Sequence, residues 1–370
     1  MNHGWKYITS DECFSSITPK SKIEKKYYSE GHLIPIISQE EEFISGYWDN
    51  YSDITPHERP IVIFGDHSRV LKYIDFDFVV GADGVKILLP NESIDAKFLY
   101  YYLKWKDVPS LGYSRHFKLL KDYNYLCPPI IRQAEIVSEL DKINELIGVK
   151  RSQLKDLDAL AQSLFYETFG EPIAPPKGWN TKVWSDLFDT ILGKMLDKNK
   201  QIETDIQLPY LANQNVQWGY FDLSKLNTMS FTQNEVAKFR LKEGDILICE
   251  GGESGRCAIW KGADYTILFQ KAIHRARIKD RNIINPYFVR FWLEIFKKND
   301  GLKNHLTKAT IEHLTGAKLK TVNVPVPPIA LQEQFAARIE AIEAQKKLVE
   351  ASIADLETLL ASRMDYWFND

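Results

Sequence analysis

With 370 residues, the chain is long enough for two domains of ordinary size plus connecting elements. Its hydrophobic fraction of 44% and aromatic fraction of 12% are those of a folded protein and exclude a disordered one. The formal net charge is −3, no apolar run approaches the roughly 20 residues of a membrane span, and no secretory signal is visible at the N-terminus. We therefore expect a cytoplasmic protein without a membrane partner.

The four cysteines show no metal-site spacing, and no paired CxxC or HxxxH motif occurs elsewhere. The sequence predicts neither a structural zinc site nor a disulfide framework, so we expect no bound metal and a reducing compartment.

The charge is unevenly distributed. Residues 128–170 and 327–370 carry 9 basic and 15 acidic residues, and the rest of the chain carries 38 and 35. Basic clusters lie at 115–121 and 271–277. Such clusters are typical of nucleic-acid-binding surfaces, although an ordinary solvated face is the simpler interpretation.

In chain order, the sequence predicts a first domain at 1–126 and a first long helix at 127–170. A Pro- and Gly-rich linker at 171–177, a second domain at 178–326 and a second long helix at 327–370 follow. Each domain alternates short β-rich runs with turns and contains one aromatic-rich helix, at 95–105 and 285–297. The predicted fold class is α+β, with two mixed domains and two long helices.

Apolar residues in both long helices recur at alternating steps of four and three, which is the coiled-coil pattern. The predicted seam residues are Ile136, Leu140, Ile143, Ile147, Leu154, Leu157, Phe335, Ile339, Ile342, Val349, Ile353 and Leu356. About 35 residues at ~1.5 Å each make a rod of roughly 50 Å, too long for one small domain to cover. We therefore expect the helices to pair antiparallel; two separate helices, each packed on its own domain, are the alternative.

The chain contains an internal duplication. The two helical segments align without a gap at an offset of 199, which pairs Pro128 with Pro327 and Gln133 with Gln332. Near the domain starts, Gly4-Trp5 resembles Gly178-Trp179 at an offset of about 174. A repeat of this length implies two similar units related by a pseudo-two-fold axis.

Motifs that would make the chain an enzyme are absent from the sequence. The glycines at 251–255 lack the Lys-Ser/Thr pair of a phosphate-binding loop. The Cys127-Pro128-Pro129-Ile130 run lacks the Asn or Asp and the aromatic residue of an amino-methyltransferase N-P-P-[FYW] loop, and it opens a helix. We expect no catalytic residue in this chain.

The chain has two variable domains, each followed by a heptad helix. Each helix begins with Pro-Pro-Ile and has Gln three residues after that isoleucine. This arrangement resembles the specificity subunit of Type I restriction-modification systems. The Gly-Trp openings and the run 244–248 with 251–256 are also similar to that family. The first domain differs from this sequence pattern of the family at residues 61–69.

The resemblance implies that each domain reads one half of a bipartite target in double-stranded DNA, and that the coiled coil sets the spacer. It also implies docking to modification subunits, two in number, that bind S-adenosylmethionine and methylate adenine N6. Restriction subunits would bring ATP- and Mg²⁺-dependent translocation and cleavage.

Base readout requires polar side chains on exposed loops, and phosphate contacts require cations. The candidate DNA-binding residues are His67, Ser68, Arg69, Tyr113, Ser114, Arg115 and His116 in the first domain and Glu253, Ser254, Arg256, Gln270, Lys271 and His274 in the second. The alternative for each is a turn or surface polar group; His116 and His274 could equally pack against aromatic neighbours.

Three other functions remain open. One is the specificity subunit of a two-component Type II enzyme that cuts on both sides of its site. Another is a coiled-coil assembly scaffold that binds no DNA, and the third is an independent methyltransferase.

Overall fold

The computed structural model describes residues 5–31, 33–112, 114–173, 178–195, 206–262, 266–308 and 312–369. The chain folds into two compact units. Unit 1 comprises Met1–Ser152 and Val349–Asp370, and unit 2 comprises Gln153–Leu348.

The described residues of unit 1 form short strands, three short α-helices and parts of both long helices. The elements up to the first long helix are β1 (Lys6–Ile8), α1 (Ser10–Cys13), β2 (Phe14–Ile17), β3 (Lys22–Ile23), β4 (Ile34–Ile37), β5 (Gly46–Trp48), β6 (Ile61–Gly65), β7 (Leu71–Ile74), β8 (Val79–Gly81), β9 (Val85–Pro90), α2 (Ala96–Lys106), α3 (Phe117–Asp122), β10 (Tyr125–Cys127) and α4 (Ile130–Phe169).

The strands of unit 1 form a four-stranded antiparallel sheet in the order β2-β9-β6-β7, a mixed sheet β3-β8-β4-β5 and a pair β1-β10. All five residues of β6 are buried, because successive side chains point to opposite faces and both faces are covered. Val62 and Phe64 pack in one cluster with residues of α2, while Ile61 and Ile63 pack in another with Phe78.

Unit 2 has the same order of principal elements. The remaining elements are β11 (Asn180–Val183), α5 (Trp184–Leu187), β12 (Phe188–Leu192), β13 (Ile206–Leu211), β14 (Asn227–Phe231), α6 (Gln233–Phe239), β15 (Ile246–Cys249), β16 (Cys257–Ile259), β17 (Leu268–Phe269), β18 (Ile273–Ile278), α7 (Pro286–Lys298), β19 (Thr307–Lys308), β20 (Glu312–His313), α8 (Gly316–Leu319), β21 (Asn323–Val326) and α9 (Ile329–Phe368).

The sheets of unit 2 repeat the plan of unit 1. The order β12-β18-β15-β16 matches β2-β9-β6-β7, and β11-β21 matches β1-β10. The central strand again alternates between two clusters: Ile246 and Ile248 pack with residues of α7, and Leu247 and Cys249 pack with the three-stranded sheet β14-β13-β17. The duplication seen in the sequence therefore extends to strand topology.

The long helices run antiparallel within each unit. In unit 1, Glu139 of α4 pairs with Arg363 of α9, and Arg151 Nη2 lies 2.7 Å from Glu357 Oε1. In unit 2, Lys346 Nζ of α9 lies 2.6 Å from Asp158 Oδ1 of α4. Rising residue numbers on one helix thus meet falling numbers on the other. The predicted fold class, two mixed domains with an antiparallel pair of long helices, is confirmed.

Most of the predicted seam side chains lie in the interior. Eight are less than 9% exposed: Ile136, Leu140, Ile143, Ile147, Phe335, Ile339, Ile342 and Val349. Leu154, Leu157, Ile353 and Leu356 are partly buried. Both helices end in a buried phenylalanine, and in unit 2 the rings of Phe169 and Phe335 lie 5.1 Å apart. Aromatic packing of this kind adds to the area-dependent stabilisation of the seam.

Candidate nucleic-acid interface

A turn in each unit joins the two strands at one side of the four-stranded sheet. In unit 1 this turn follows β6, and in unit 2 the equivalent turn follows β15. We define the hairpin edge of unit 1 as residues 66–70, 82–84 and 114–116, and that of unit 2 as 250–256, 270–272 and 312–314.

Equivalent backbone hydrogen bonds hold both hairpin edges together. The N–H of Asp66 donates to Gly84 O at 2.7 Å, and the N–H of His116 donates to Asp66 O at 2.8 Å. In unit 2, the N–H of Glu250 donates to Ala272 O at 2.9 Å, and that of Leu314 donates to Glu250 O at 2.7 Å. Three segments that are distant in sequence therefore converge on one residue in each unit.

A side-chain amide fastens each turn. Gln39 lies two residues after β4, and its Oε1 accepts from the N–H of His67 at 3.1 Å. Asn213 lies two residues after β13, and its Nδ2 donates to Gly251 O at 2.9 Å. These amides were not among the predicted site residues. The only signal in the sequence was their shared position after equivalent strands.

The turn of unit 1 presents one clearly exposed side chain, that of Ser68. His67 is half-buried, and its Nδ1 lies 3.2 Å from Ser114 O. Arg69 has a φ of 64° and donates from Nη1 to Val108 O at 2.8 Å, so its guanidinium is directed to the protein. The acidic residues Glu40–Glu42 line a groove with His67 and Ser68, and their charge disfavours a phosphate there.

The segment before α3 contributes one exposed cation. Arg115 is exposed and Ser114 is half-buried, whereas Tyr113 lies outside the described residues. The ring of His116 is fully buried: its Nε2 accepts from the N–H of Leu111, and its Nδ1 lies 2.9 Å from Asp66 O. His116 therefore holds the hairpin edge together from inside.

In unit 2, the glycine turn presents an ordered carboxylate. Glu253 is exposed, and its Oε1 accepts from Trp218 Nε1 at 2.6 Å. Its Oε2 lies 3.3 Å from Nη1 of Arg256, whose Nη2 donates to Asn213 O at 2.8 Å. The tip of the turn is thus a fixed acceptor of hydrogen bonds. Trp218 was another residue that the sequence did not single out.

The other candidates in unit 2 divide into buried and exposed groups. Ser254 is 2% exposed, and its single O–H lies within hydrogen-bonding distance of the carbonyls of Glu250 and Glu312. His274 is 1% exposed, its Nε2 lies 3.0 Å from Leu314 O, and burial lowers its pKa. Lys271 is exposed and Gln270 is half-buried. Lys271 and Gln270 can contact a ligand, whereas Ser254 and His274 stabilise the turn.

Two arginines of the basic cluster at 271–277 are occupied by carboxylates. Arg275 Nη2 lies 2.8 Å from Asp189 Oδ2, and Arg277 lies 2.6 Å from Asp245 Oδ2. The cluster therefore offers mainly Lys271 to a ligand. In unit 1, by contrast, Arg115 is joined by the exposed residues Lys118 and Lys121 of α3.

The cysteines are free thiols, and Cys13, Cys249 and Cys257 are buried. Burial raises the pKa of Cys249 to about 11, which makes its thiolate a minor species at neutral pH.

Within the described residues, no helix combines the length and apolarity that a bilayer crossing requires.

Residues 176–358 match the family model of the Type I restriction modification DNA specificity domain. The chain is 26% identical over 167 residues to the putative Type I restriction enzyme MjaX specificity subunit of Methanocaldococcus jannaschii, covering 44% of this chain and 38% of that protein. It is 19% identical over 294 residues to the EcoKI specificity subunit of Escherichia coli K12, covering 72% of this chain and 62% of that protein. The chain thus spans less than two thirds of the length of these two relatives.

Solved structures show the same fold. A Type I restriction-modification S subunit from M. genitalium matches with a TM-score of 0.56 and 15% identity, covering 99% of this chain and 96% of the other. A chain from a study of complex assembly and conformational transition of the type I R-M system matches with a TM-score of 0.58 and 16% identity, covering 98% and 97%.

Proposed function

This chain belongs to the Type I restriction-modification DNA specificity family, and on that premise we propose that it selects the DNA target of such a complex. Each unit reads one half of a bipartite duplex sequence through its hairpin edge. The paired helices α4 and α9 set the unspecified spacer between the halves.

One observation carries this proposal: the two hairpin edges share a backbone frame but present different side chains. Unit 1 exposes Ser68 and Arg115, and unit 2 exposes Glu253 and Lys271. Base edges in the major groove are distinguished by their hydrogen-bond donors and acceptors. Different side chains on the same backbone arrangement therefore suit two different DNA half-sequences. The exposed cations suit phosphate contacts, which position the protein without reading sequence.

The chemistry would belong to other subunits. Two modification subunits that bind S-adenosylmethionine would dock on the helices and methylate adenine N6, and restriction subunits would bring ATP- and Mg²⁺-dependent cleavage. Such a complex would work in the cytoplasm, where its DNA lies. This chain would supply specificity and assembly and no catalytic residue.

Methylome sequencing of cells that express this chain with its modification subunit tests the proposal. We expect one bipartite motif with a constant spacer. Replacing residues 1–126 with the equivalent domain of another such protein should change one half-sequence only, and removing one heptad from each helix should change only the spacer. Methylation without a bipartite motif, or a swap that alters both halves, would contradict the proposal.

A cell-free measurement separates this function from its alternatives. The purified chain with its modification subunits should bind duplex DNA containing the motif more tightly than scrambled DNA, whereas a pure scaffold would show no preference. The chain alone should not transfer methyl groups from S-adenosylmethionine. Neighbouring genes distinguish a Type I complex from a two-component Type II enzyme.

A further inference from the structure

A buried glutamine joins the start of α4 to the start of α2 in unit 1. The side chain of Gln133 has no exposed surface. Its Oε1 accepts from the N–H of Asp95 at 2.8 Å, and its Nε2 donates to Ser93 O and Pro128 O, both at 2.8 Å. One amide group therefore fastens the first turn of the long helix to the segment that leads into α2.

Gln332 makes the same three contacts in unit 2. Its Oε1 accepts from the N–H of Asn285 at 2.9 Å, and its Nε2 donates to Ile283 O at 3.1 Å and to Pro327 O at 2.7 Å. Gln332 is also fully buried. The partners occupy equivalent places, because Asp95 and Asn285 are the N-cap residues of α2 and α7.

The chemistry of the junction requires a primary amide of this length. The site offers one backbone donor and two backbone acceptors, and glutamine supplies one acceptor and two donors. A carboxylate would place unprotonated oxygen against two carbonyls, and an apolar side chain would leave three buried backbone groups unpaired. Asp95 and Asn285 cap the first turn of α2 and α7. Because the glutamine amide is bonded to the backbone of this capping residue, it fixes the orientation of the long helix relative to α2 or α7.

We propose that Gln133 and Gln332 are positioning residues. They fix the angle between each DNA-reading domain, 1–126 or 178–326, and the long helix that follows it, and thereby restrict the spacer to one length. The inference rests on the proposed function. Successive base pairs of B-DNA are rotated by about 34–36°, since one turn holds 10–10.5 base pairs. A junction that loosened by an angle of this order would let a unit engage its half-sequence one base pair away.

This role differs from that of the hairpin edges. The hydrogen-bond partners of both glutamines lie outside the hairpin edges, so loss of these amides should leave the two half-sequences unchanged. Gln133 and Gln332 do not belong to the hydrophobic clusters of the two units, so each unit keeps its hydrophobic core when they are replaced. Spacer fidelity is therefore the property that should respond to their replacement.

The test compares isosteric variants in the full complex. Gln133→Met, Gln332→Met and the double variant keep the side-chain volume and remove the amide. Gln162→Met on α4 and Gln345→Met on α9 are matched controls at exposed positions. Each variant is expressed with the modification subunit, and methylation is counted at the two half-sequences separated by the wild-type spacer and by one base pair more or less.

We expect the ratio of altered-spacer to normal-spacer methylation to rise at least tenfold in the double variant and to stay at the wild-type level in the controls. If a Met variant fails to fold by thermal melting, the Asn variants, which keep the amide one methylene shorter, are scored identically. An unchanged spacer in folded variants of both glutamines, or a changed half-sequence, would overturn the proposal. Absence of any bipartite motif in the wild type would instead overturn the proposed function.

Discussion

Arg277 donates two hydrogen bonds to the buried carboxylate of Asp245, from Nε at 2.7 Å and from Nη2 at 2.6 Å. Asp245 is 1% exposed and also accepts from the N–H of Lys242 at 2.8 Å. It precedes β15, and Arg277 belongs to the neighbouring strand β18, so the pair fixes one end of the central strands of unit 2. The bidentate geometry is that of strong charge-assisted pairs.

We predict that Asp245→Asn destabilises unit 2 by about 2–3 kcal/mol, because it neutralises the carboxylate of a largely buried pair and leaves the guanidinium without its counter-charge. Arg277 retains some contact with solvent, which keeps the loss below that of a fully buried pair. Urea unfolding measures the change, and Asp186→Asn at an exposed carboxylate serves as control. Equal stability of the two variants would contradict a structural role for Asp245.

Glu253 should determine one base of the second half-sequence. A carboxylate accepts hydrogen bonds from the amino groups of bases, and a good pair discriminates by about 1–3 kcal/mol. Glu253→Gln introduces donors at this tip, so we expect the methylome motif to relax or change at one position of that half and to stay constant in the other. Glu243→Gln, at an exposed residue outside the hairpin edge, should retain the wild-type motif. A Glu253→Gln motif identical to wild type would exclude this readout.

Arg115 and Lys271 should contact phosphates. Each Ala variant should weaken binding to all duplexes alike and lower the slope of log affinity against log salt by about 1. Fluorescence anisotropy of the complex with its modification subunits, at several salt concentrations, measures this slope. Lys142→Ala on α4 is the control at an exposed cation away from the hairpin edges. If an Arg115 or Lys271 variant kept the wild-type slope, phosphate contact by that residue would be ruled out.

His274 should make unit 2 less stable at mildly acidic pH. Burial lowers its pKa below the usual 6.5, against weaker opposing effects of Leu314 O and Glu250, while Lys320 adds to the lowering. Below pH 6.5 the unfolded chain binds a proton that the folded side chain resists, so this contribution is complete above 6.5 and is lost as pH falls through the folded pKa. The unfolding free energy between pH 7.5 and 5.5 should fall less in His274→Gln than in wild type. Parallel pH profiles would contradict this assignment.

Local patterns in the sequence predicted the elements well, because their causes are local. The heptad pattern identified both long helices, and the alternation of short β-rich runs with turns identified two mixed domains. Residue roles at the hairpin edges were harder to predict. His116 and His274 lie next to basic residues and resemble exposed base readers by residue type. Both are nevertheless buried, and each ring contacts a backbone carbonyl of a distant segment.

The amides that organise the site illustrate the same limit. Gln39 and Asn213 stand in stretches without a motif, and their importance depends on turns 28 and 38 residues away. Gln133 and Gln332 were visible as an aligned pair, but their shared partners were not, because hydrogen bonds between segments 38 to 49 residues apart leave no periodic pattern in the sequence.

By itself, the sequence determined that this protein is a duplication: two mixed units and two heptad helices in one repeated order. Periodicity and repetition are properties of neighbouring residues, so they can be recognised without coordinates. Only the tertiary structure decided which polar side chains face outward, which are consumed by ion pairs such as Asp245–Arg277, and which join helix to domain. Those outcomes depend on desolvation and on pairing between distant segments. The identity of a polar residue does not show whether its side chain contacts solvent or a buried carbonyl group.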